Sequence, residues 1–283
     1  MVDGSPVEFD HCRELALLPG SVFEFTSRFL PAGKLEPLLA LYALMQTIGS
    51  IPYGPADDSV KWAKLKWWSE EIVADPGESL RHPVLRALWL SGSRENLGNA
   101  LLLRLVGDAI SQIDAAPDGD ENAMFERQAE MGATEIQLEL ALDDAEIAPQ
   151  SLNFLGAATS SFRLISSFSG NQLSQTARLP LSMLAKFNVS ASQLQQAAYR
   201  VELTQIISQL AENTRDWFSK GISALNIEPD SSAGTHLQLR WAMENRRLNA
   251  ILKDVNGFLE TVQRFGPADA WFAWRFLRKL NRI

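Results

Sequence analysis

Along nearly the whole chain, apolar positions recur every three or four residues, the interval that gathers them on one face of a helix. Between Leu35 and Ser50 the series is Leu38, Leu39, Leu41, Tyr42, Met45 and Ile48, and Pro52, Gly54 and Pro55 then break it. Asp57, Asp58 and Ser59 are helix-capping residue types, and acids suit the positive end of the helix dipole. A helix is therefore predicted over 60–74, with Trp62, Leu65, Ile72 and either Trp67 or Trp68 on its apolar side. His82-Pro83 starts another helix through Leu90, and 97–113 continues the pattern. Beyond a polar loop at 114–121, helices are expected at about 122–143, 150–169, 190–222, 235–264 and 267–282. No segment alternates strictly between apolar and polar residues, so no strand is predicted. With no internal repeat and no linker long enough to separate the chain into smaller units, residues 1–283 read as one all-α domain of roughly ten helices.

Composition narrows what such a domain does. Lys and Arg number 26 against 34 Asp and Glu, a net charge of −8, whereas a nucleic-acid binder carries a basic footprint; no nucleic-acid partner is expected. Cys12 is the single cysteine, which excludes a disulfide framework or a Cys-rich zinc site. His11, His82 and His236 are too scattered to suggest a His-based metal centre. Cys12 is expected near a mobile terminus with no oxyanion site beside it, so a nucleophile role is set aside. The acidic, polar start of the sequence is unlike a secretory or transit segment, and no apolar run reaches the roughly 18 residues of a membrane span. A cytoplasmic location is expected.

Several phrases point further: Arg28-Phe29-Leu30-Pro31, Leu39-Ala40-Leu41-Tyr42-Ala43, Lys64-Leu65-Lys66-Trp67-Trp68 with Glu71, His82-Pro83-Val84, and Leu179-Pro180-Leu181 followed by Leu184-Ala185-Lys186-Phe187 and Val189-Ser190. In this order and spacing, over residues 20–220, they resemble the squalene/phytoene synthase family. The resemblance implies the isoprenoid synthase fold, a helical bundle around a central cavity. It also implies two acid-rich segments facing each other across that cavity, whose carboxylates hold Mg²⁺ against a departing diphosphate. Counting from Tyr42, the first segment falls on Gly49-Ser50-Ile51-Pro52-Tyr53, and Pro52 disturbs the helix that should present it. Counting back from Leu179-Pro180-Leu181, the second falls on Ser167 and Asn171. No Asp or Glu occurs at either place, nor anywhere from 153 to 178. The chain thus resembles most a branch of the family without the aspartates, which includes the mitochondrial complex I assembly factor of this type.

Three further groups carry candidate chemistry. Glu135, Glu139 and Asp143 share one stripe of a helix; the stripe is expected either to face water, as charge stripes usually do, or to face inward and hold a cation or pair with Arg28 or Arg163. By position, Arg28, Tyr42, Met45, Gln46, Phe162, Arg163 and Phe168 are candidate walls of a ligand pocket, with the two arginines suited to an anion. In the last helix, Arg275, Arg278, Lys279 and Arg282 cluster beside Trp271 and Trp274, opposite Phe272, Phe276, Leu277 and Leu280. That pattern suits an anionic membrane surface or an acidic partner, and equally a terminal helix docked by its Phe/Leu face.

The expectation is a catalytically degenerate protein of this family that works by binding: an assembly or accessory factor for a respiratory membrane complex, without metal, with an isoprenoid or lipid as pocket ligand and peripheral contact at the inner face of the membrane. The alternatives are a prenyl diphosphate transferase or diphosphatase using displaced acids, which requires Mg²⁺, and an isoprenoid or lipid carrier.

Overall fold

The computed structural model describes residues 7–31, 33–74, 81–171, 178–225, 232–262 and 264–280, and among these every regular element is helical. The first half comprises α1 (Val7–Ala16), α2 (Val22–Thr26), α3 (Leu35–Ser50), α4 (Asp58–Val73), α5 (Pro83–Leu90), α6 (Arg94–Leu97) and α7 (Asn99–Ser111). The second comprises α8 (Glu121–Ala141), α9 (Pro149–Ser166), α10 (Leu181–Lys186), α11 (Arg200–Ser223), α12 (Ser232–Lys253), α13 (Val255–Glu260) and α14 (Pro267–Leu280).

Two apolar cores form, one on each side of α8. Leu138 joins the core of α1, α3, α4, α5 and α7, while Ile136 and Leu140 join that of α9, α11, α12 and α13. From Gly132 to Leu140 only Gln137 of α8 is not fully buried. A helix enclosed on all sides has no water-facing stripe, so its acids must find partners inside the protein.

The close approach of α8 and α9 rests on two glycines. A Cβ on Gly156 would lie 2.7 Å from Ala129 O and from Ala133 N, and a Cβ on Gly132 would strike the Gly156 carbonyl. Both obstacles are backbone, so only hydrogen fits at either position. Around Gly156, α9 adds Ala157, Ala158, Thr159, Ser160 and Ser161, all buried.

Some boundaries differ from those read in the sequence, for local reasons. The segment at 190–222 becomes an α-helix only at Arg200, after turns at Gln193–Gln195 and Ala197–Tyr199. There the Gln193 side chain accepts from Ser190 N at 2.8 Å and competes with helical bonding. The 235–264 run breaks at Asp254, which caps α13 by accepting from Gly257 N at 2.9 Å. α10 is too short to show periodicity. As expected, His82 starts α5, its ring accepting from Val84 N at 3.2 Å. Asp57 occupies the cap position of α4 without a side-chain bond, while Asp58 pairs with Lys61 at 2.9 Å. Trp62 points outward; Leu65, Trp68 and Ile72 form the buried face. Cys12 is no part of a mobile end: α1 packs on α3 and α5, Cys12 is fully buried, and burial, with Glu8 nearby, pushes its thiol up to about 12.

Candidate functional site

Two polar stripes meet where α8 and α12 run antiparallel. α8 presents Glu135 and Glu139, and Asp143 follows in the turn at its end; α12 presents Ser232, His236, Arg240 and Glu244, four residues apart on one helix face. At one end Asp143 accepts from Ser232 Oγ at 2.6 Å, from Ala233 N at 2.7 Å and from Lys34 at 2.9 Å. In the middle the Glu139 carboxylate takes His236 Nδ1 on one oxygen, and Tyr42 Oη at 2.8 Å and Arg240 Nη1 at 3.0 Å on the other. Arg240 also donates to Tyr42 Oη, and His236 Nε2 lies 3.0 Å from Thr26 Oγ1. Phe23 stacks on Tyr42 at 3.6 Å and closes the cluster from α2. At the far end Glu135 turns to α9 instead, where both its oxygens accept from Arg163.

The stripe on α8 is therefore inward, and the expectation of a solvated face is overturned. Burial by itself raises the Glu139 carboxyl, but Arg240, His236 and the hydrogen bonds from His236 and Tyr42 outweigh it and hold the group below the ordinary carboxylate value. The Tyr42 hydroxyl is pushed well above its usual value, mainly by burial. Burial also opposes the charge on Arg240, yet Tyr42, Glu139 and Glu244 together keep that guanidinium firmly protonated.

Two cavities adjoin this cluster. The larger, of about 530 Å³, is lined by the 16–23 segment, Tyr42, Phe162, Arg240, Glu244, Arg247, Ile251 and Phe258. The smaller, of about 320 Å³, is lined by Gly49, Ser50, Pro52, Tyr53, Asp108, Gln112, Arg127, Gln128, Ser160 and Arg178. Met45, Gln46, Glu135, Arg163 and Ser167 belong to both, so the Glu135–Arg163 bridge is part of a shared wall. Arg163 lies deep in the protein, yet 57% of its side-chain surface is accessible, because it faces the cavities.

The larger cavity joins an apolar body to one charged end. There Arg247 donates to Gly20 O at 3.0 Å and covers the Phe265 ring, and Arg240 Nε lies 3.7 Å from Glu244. Burial pushes Glu244 up to about 7 despite Arg240 and Arg163 beside it, with Glu139 and Glu135 adding to the rise. The folded chain thus holds this proton more tightly than the unfolded chain, whose carboxyl titrates near 4.5. The resulting stabilisation is present below about 4.5 and is lost as pH rises to about 7. In Glu244→Gln that loss disappears: its urea midpoint relative to wild type should rise between pH 5 and pH 7.5, and an unchanged difference refutes the assignment.

The segments where carboxylates were expected face each other. α3 ends at Ser50 and runs into a 3-10 turn, Ile51–Tyr53, with Pro52 near its start. α9 ends at Ser166, and Gly170 follows in a left-handed conformation (φ 69°), where a Cβ would meet Val262 at 2.8 Å. Gly49, Ser50 and Tyr53 line the smaller cavity together with Ser167. Only the backbone of Asn171 is described. Mg²⁺ takes oxygen ligands, several of them carboxylates in a site of this kind. These walls offer glycine, hydroxyl and proline, and among the described residues no group of three or more His, Cys, Asp or Glu could hold a metal. These two segments do not fit Mg²⁺, Asp108 has no cluster of further acids around it among the described residues, and Glu135, Glu139 and Asp143 are each engaged separately.

Of the sequence candidates for the pocket, Tyr42, Met45, Gln46, Phe162 and Arg163 line the larger cavity. Phe168 is buried in the second core, and Arg28 is an exposed residue paired with Glu24 on its own turn; neither lines either of these two cavities. In α14, Trp271, Trp274, Arg275, Arg278 and Lys279 are exposed while Ala273, Phe272, Phe276 and Leu277 face the core; Arg282 lies outside the described residues. The sequence reading passed over His236, Arg240, Glu244 and Arg247. Their signal was present: polar residues four, four and three apart in a run containing Leu237, Leu239, Trp241 and Met243.

Residues 19–125 match the squalene/phytoene synthase family model. Among solved structures, a dehydrosqualene synthase in complex with a ligand superposes with a TM-score of 0.69 at 15% identity, covering 98% of this chain and 96% of its own. The squalene synthase HpnC from Alicyclobacillus acidocaldarius gives 0.60 at 17% identity over 88% of this chain and 96% of that one. TcSQS with the ligand E5700 gives 0.72 at 10% identity, over 96% and 90%. No curated protein matches the chain. The shared structure is the isoprenoid synthase fold. The likeness to the squalene/phytoene synthase family model is confined to residues 19–125, and the solved structures show the shared fold. The Leu179-Pro180-Leu181 phrase lies beyond the matched residues.

Proposed function

We propose that this chain is a catalytically degenerate protein of squalene/phytoene synthase type that acts by binding. The observation that carries this reading is that the segments 49–53 and Ser167 line one cavity and supply no carboxylate to it; its acids, Asp108 and Glu135, come from other helices, and Glu135 is already bridged to Arg163. Prenyl transfer from a diphosphate requires several positive charges at the leaving group, and the walls hold no ligands to gather metal ions there. What remains is an apolar cavity with a charged end, suited to an isoprenoid or another lipid with a polar head. By its resemblance to the aspartate-free branch, the role is that of an assembly or accessory factor for a respiratory membrane complex.

With farnesyl or geranylgeranyl diphosphate and Mg²⁺, the protein should release no diphosphate above the blank, even at high protein concentration. Mg²⁺-dependent turnover that disappears in Glu135→Gln and Glu139→Gln would instead establish an enzyme with displaced acids. For the accessory role, affinity purification from solubilised membranes of the native host should recover respiratory subunits. Recovery of a hydrophobic ligand by mass spectrometry, with no protein partner, would mark a carrier.

A further inference from the structure

We infer that the outer face of α14 is a docking surface for a bilayer containing anionic lipid. The inner face of this helix is fully used: Ala273 is buried, and Phe272, Phe276 and Leu277 pack on the second core. Asp269 accepts from Arg246 Nε at 2.8 Å, and the Arg246 guanidinium lies 4.9 Å from the Phe272 ring centroid, so α14 is fixed to α12 from within. None of Trp271, Trp274, Arg275, Arg278 or Lys279 is needed for that contact. Trp271 is 58% exposed and Trp274 49%, the two most open aromatic side chains among the described residues.

The arrangement of these side chains specifies their partner. Arg275 sits over the Trp271 ring at 5.2 Å, and Arg278 over the Trp274 ring at 4.8 Å. Each indole is thus held against a cation one helical turn away, an amphipathic pair suited to the headgroup layer, where rings meet acyl chains and guanidinium groups meet phosphates. Lys279 adds a third cation, and Arg264 lies exposed just ahead of the helix. The single acid of α14, Asp269, is already paired with Arg246. This local charge belongs to a chain of net charge −8. An anionic surface therefore attracts this face and repels most of the rest of the molecule, so attraction and repulsion together fix the docked orientation. The inference stands on the α14 face alone and is independent of whether the cavities bind or catalyse.

The test is co-sedimentation of the whole chain with vesicles of phosphatidylcholine alone and of phosphatidylcholine with about one third phosphatidylglycerol. Binding should be confined to the anionic vesicles and should weaken as salt is raised. A cation near such a surface contributes about fivefold in partitioning, so the triple variant Arg275→Gln, Arg278→Gln, Lys279→Gln should bind on the order of 100-fold less. The pair Trp271→Ala, Trp274→Ala should also lose binding, now with little change in its salt dependence. Both variants keep the inner face and should retain the wild-type helical signal and melting temperature. If a variant unfolds, Arg275→Lys with Arg278→Lys keeps the charge and should preserve most of the binding. Equal binding to both vesicle types, absence of binding, or loss of only a co-purifying protein in the triple variant would each overturn the proposal.

Discussion

Replacing Glu139 by Ala should destabilise the protein by about 3–5 kcal/mol, the usual cost of stripping one partner from a buried charge pair. Glu139 is 0% exposed, and its carboxylate is the common acceptor for Tyr42, His236 and Arg240. Removal leaves the Arg240 guanidinium, itself almost fully buried, with the neutral Tyr42 hydroxyl and, for a charged partner, only the longer approach to Glu244. At about 2–4 °C per kcal/mol for a chain of this class, the melting temperature should fall by roughly 10 °C. Glu139→Gln, which keeps the shape but not the charge, should fall between. The double change Glu139→Leu, Arg240→Leu should cost less than Glu139→Ala, because no uncompensated charge is left inside. An Ala variant within about 1 kcal/mol of wild type would show that the cluster does not depend on this carboxylate.

Replacing Gly156 by Ala should be damaging for a different reason, at or above the top of the ~1–3 kcal/mol range for overpacking. The methyl would meet the α8 backbone 2.7 Å away at two atoms, and a helix backbone does not step aside as a side chain does. α8 and α9 would have to separate, which also pulls Glu135 away from Arg163, two helical turns further along α9. Gly107→Ala in α7 is the matched control: a Cβ there meets nothing within 4 Å, and the change should stabilise by about 0.5–1 kcal/mol. Denaturant midpoints of the two variants should therefore move in opposite directions.

The helical fold was legible because the apolar spacing that marks a helix is the same spacing that packs it. The absence of acids from 49–53 and from 153–178 was legible too, since it is read directly from the residues. Less legible was which helix lies in the middle. Nothing within 121–141 distinguishes a surface helix with an acid stripe from a central one whose acids are paired, and the difference lies in α9 and α12. Gly132 and Gly156 hint at it, but only their mutual contact gives the hint meaning. His236, Arg240 and Glu244 needed the same contact: a polar stripe on α12 acquires a role when a complementary stripe lies opposite.

The two acid–arginine contacts of α8 differ in what surrounds them. The Glu139 carboxylate is fully buried, while Arg163 shows more than half its side chain to the cavities. Water reaching the second pair screens it, so pulling Glu135 from Arg163 costs far less than pulling Glu139 from Arg240. One contact is thus masonry and the other a door between two rooms. Arg163→Ala should therefore join the two cavities at a small cost in stability, which a melting curve beside that of Glu139→Ala would show.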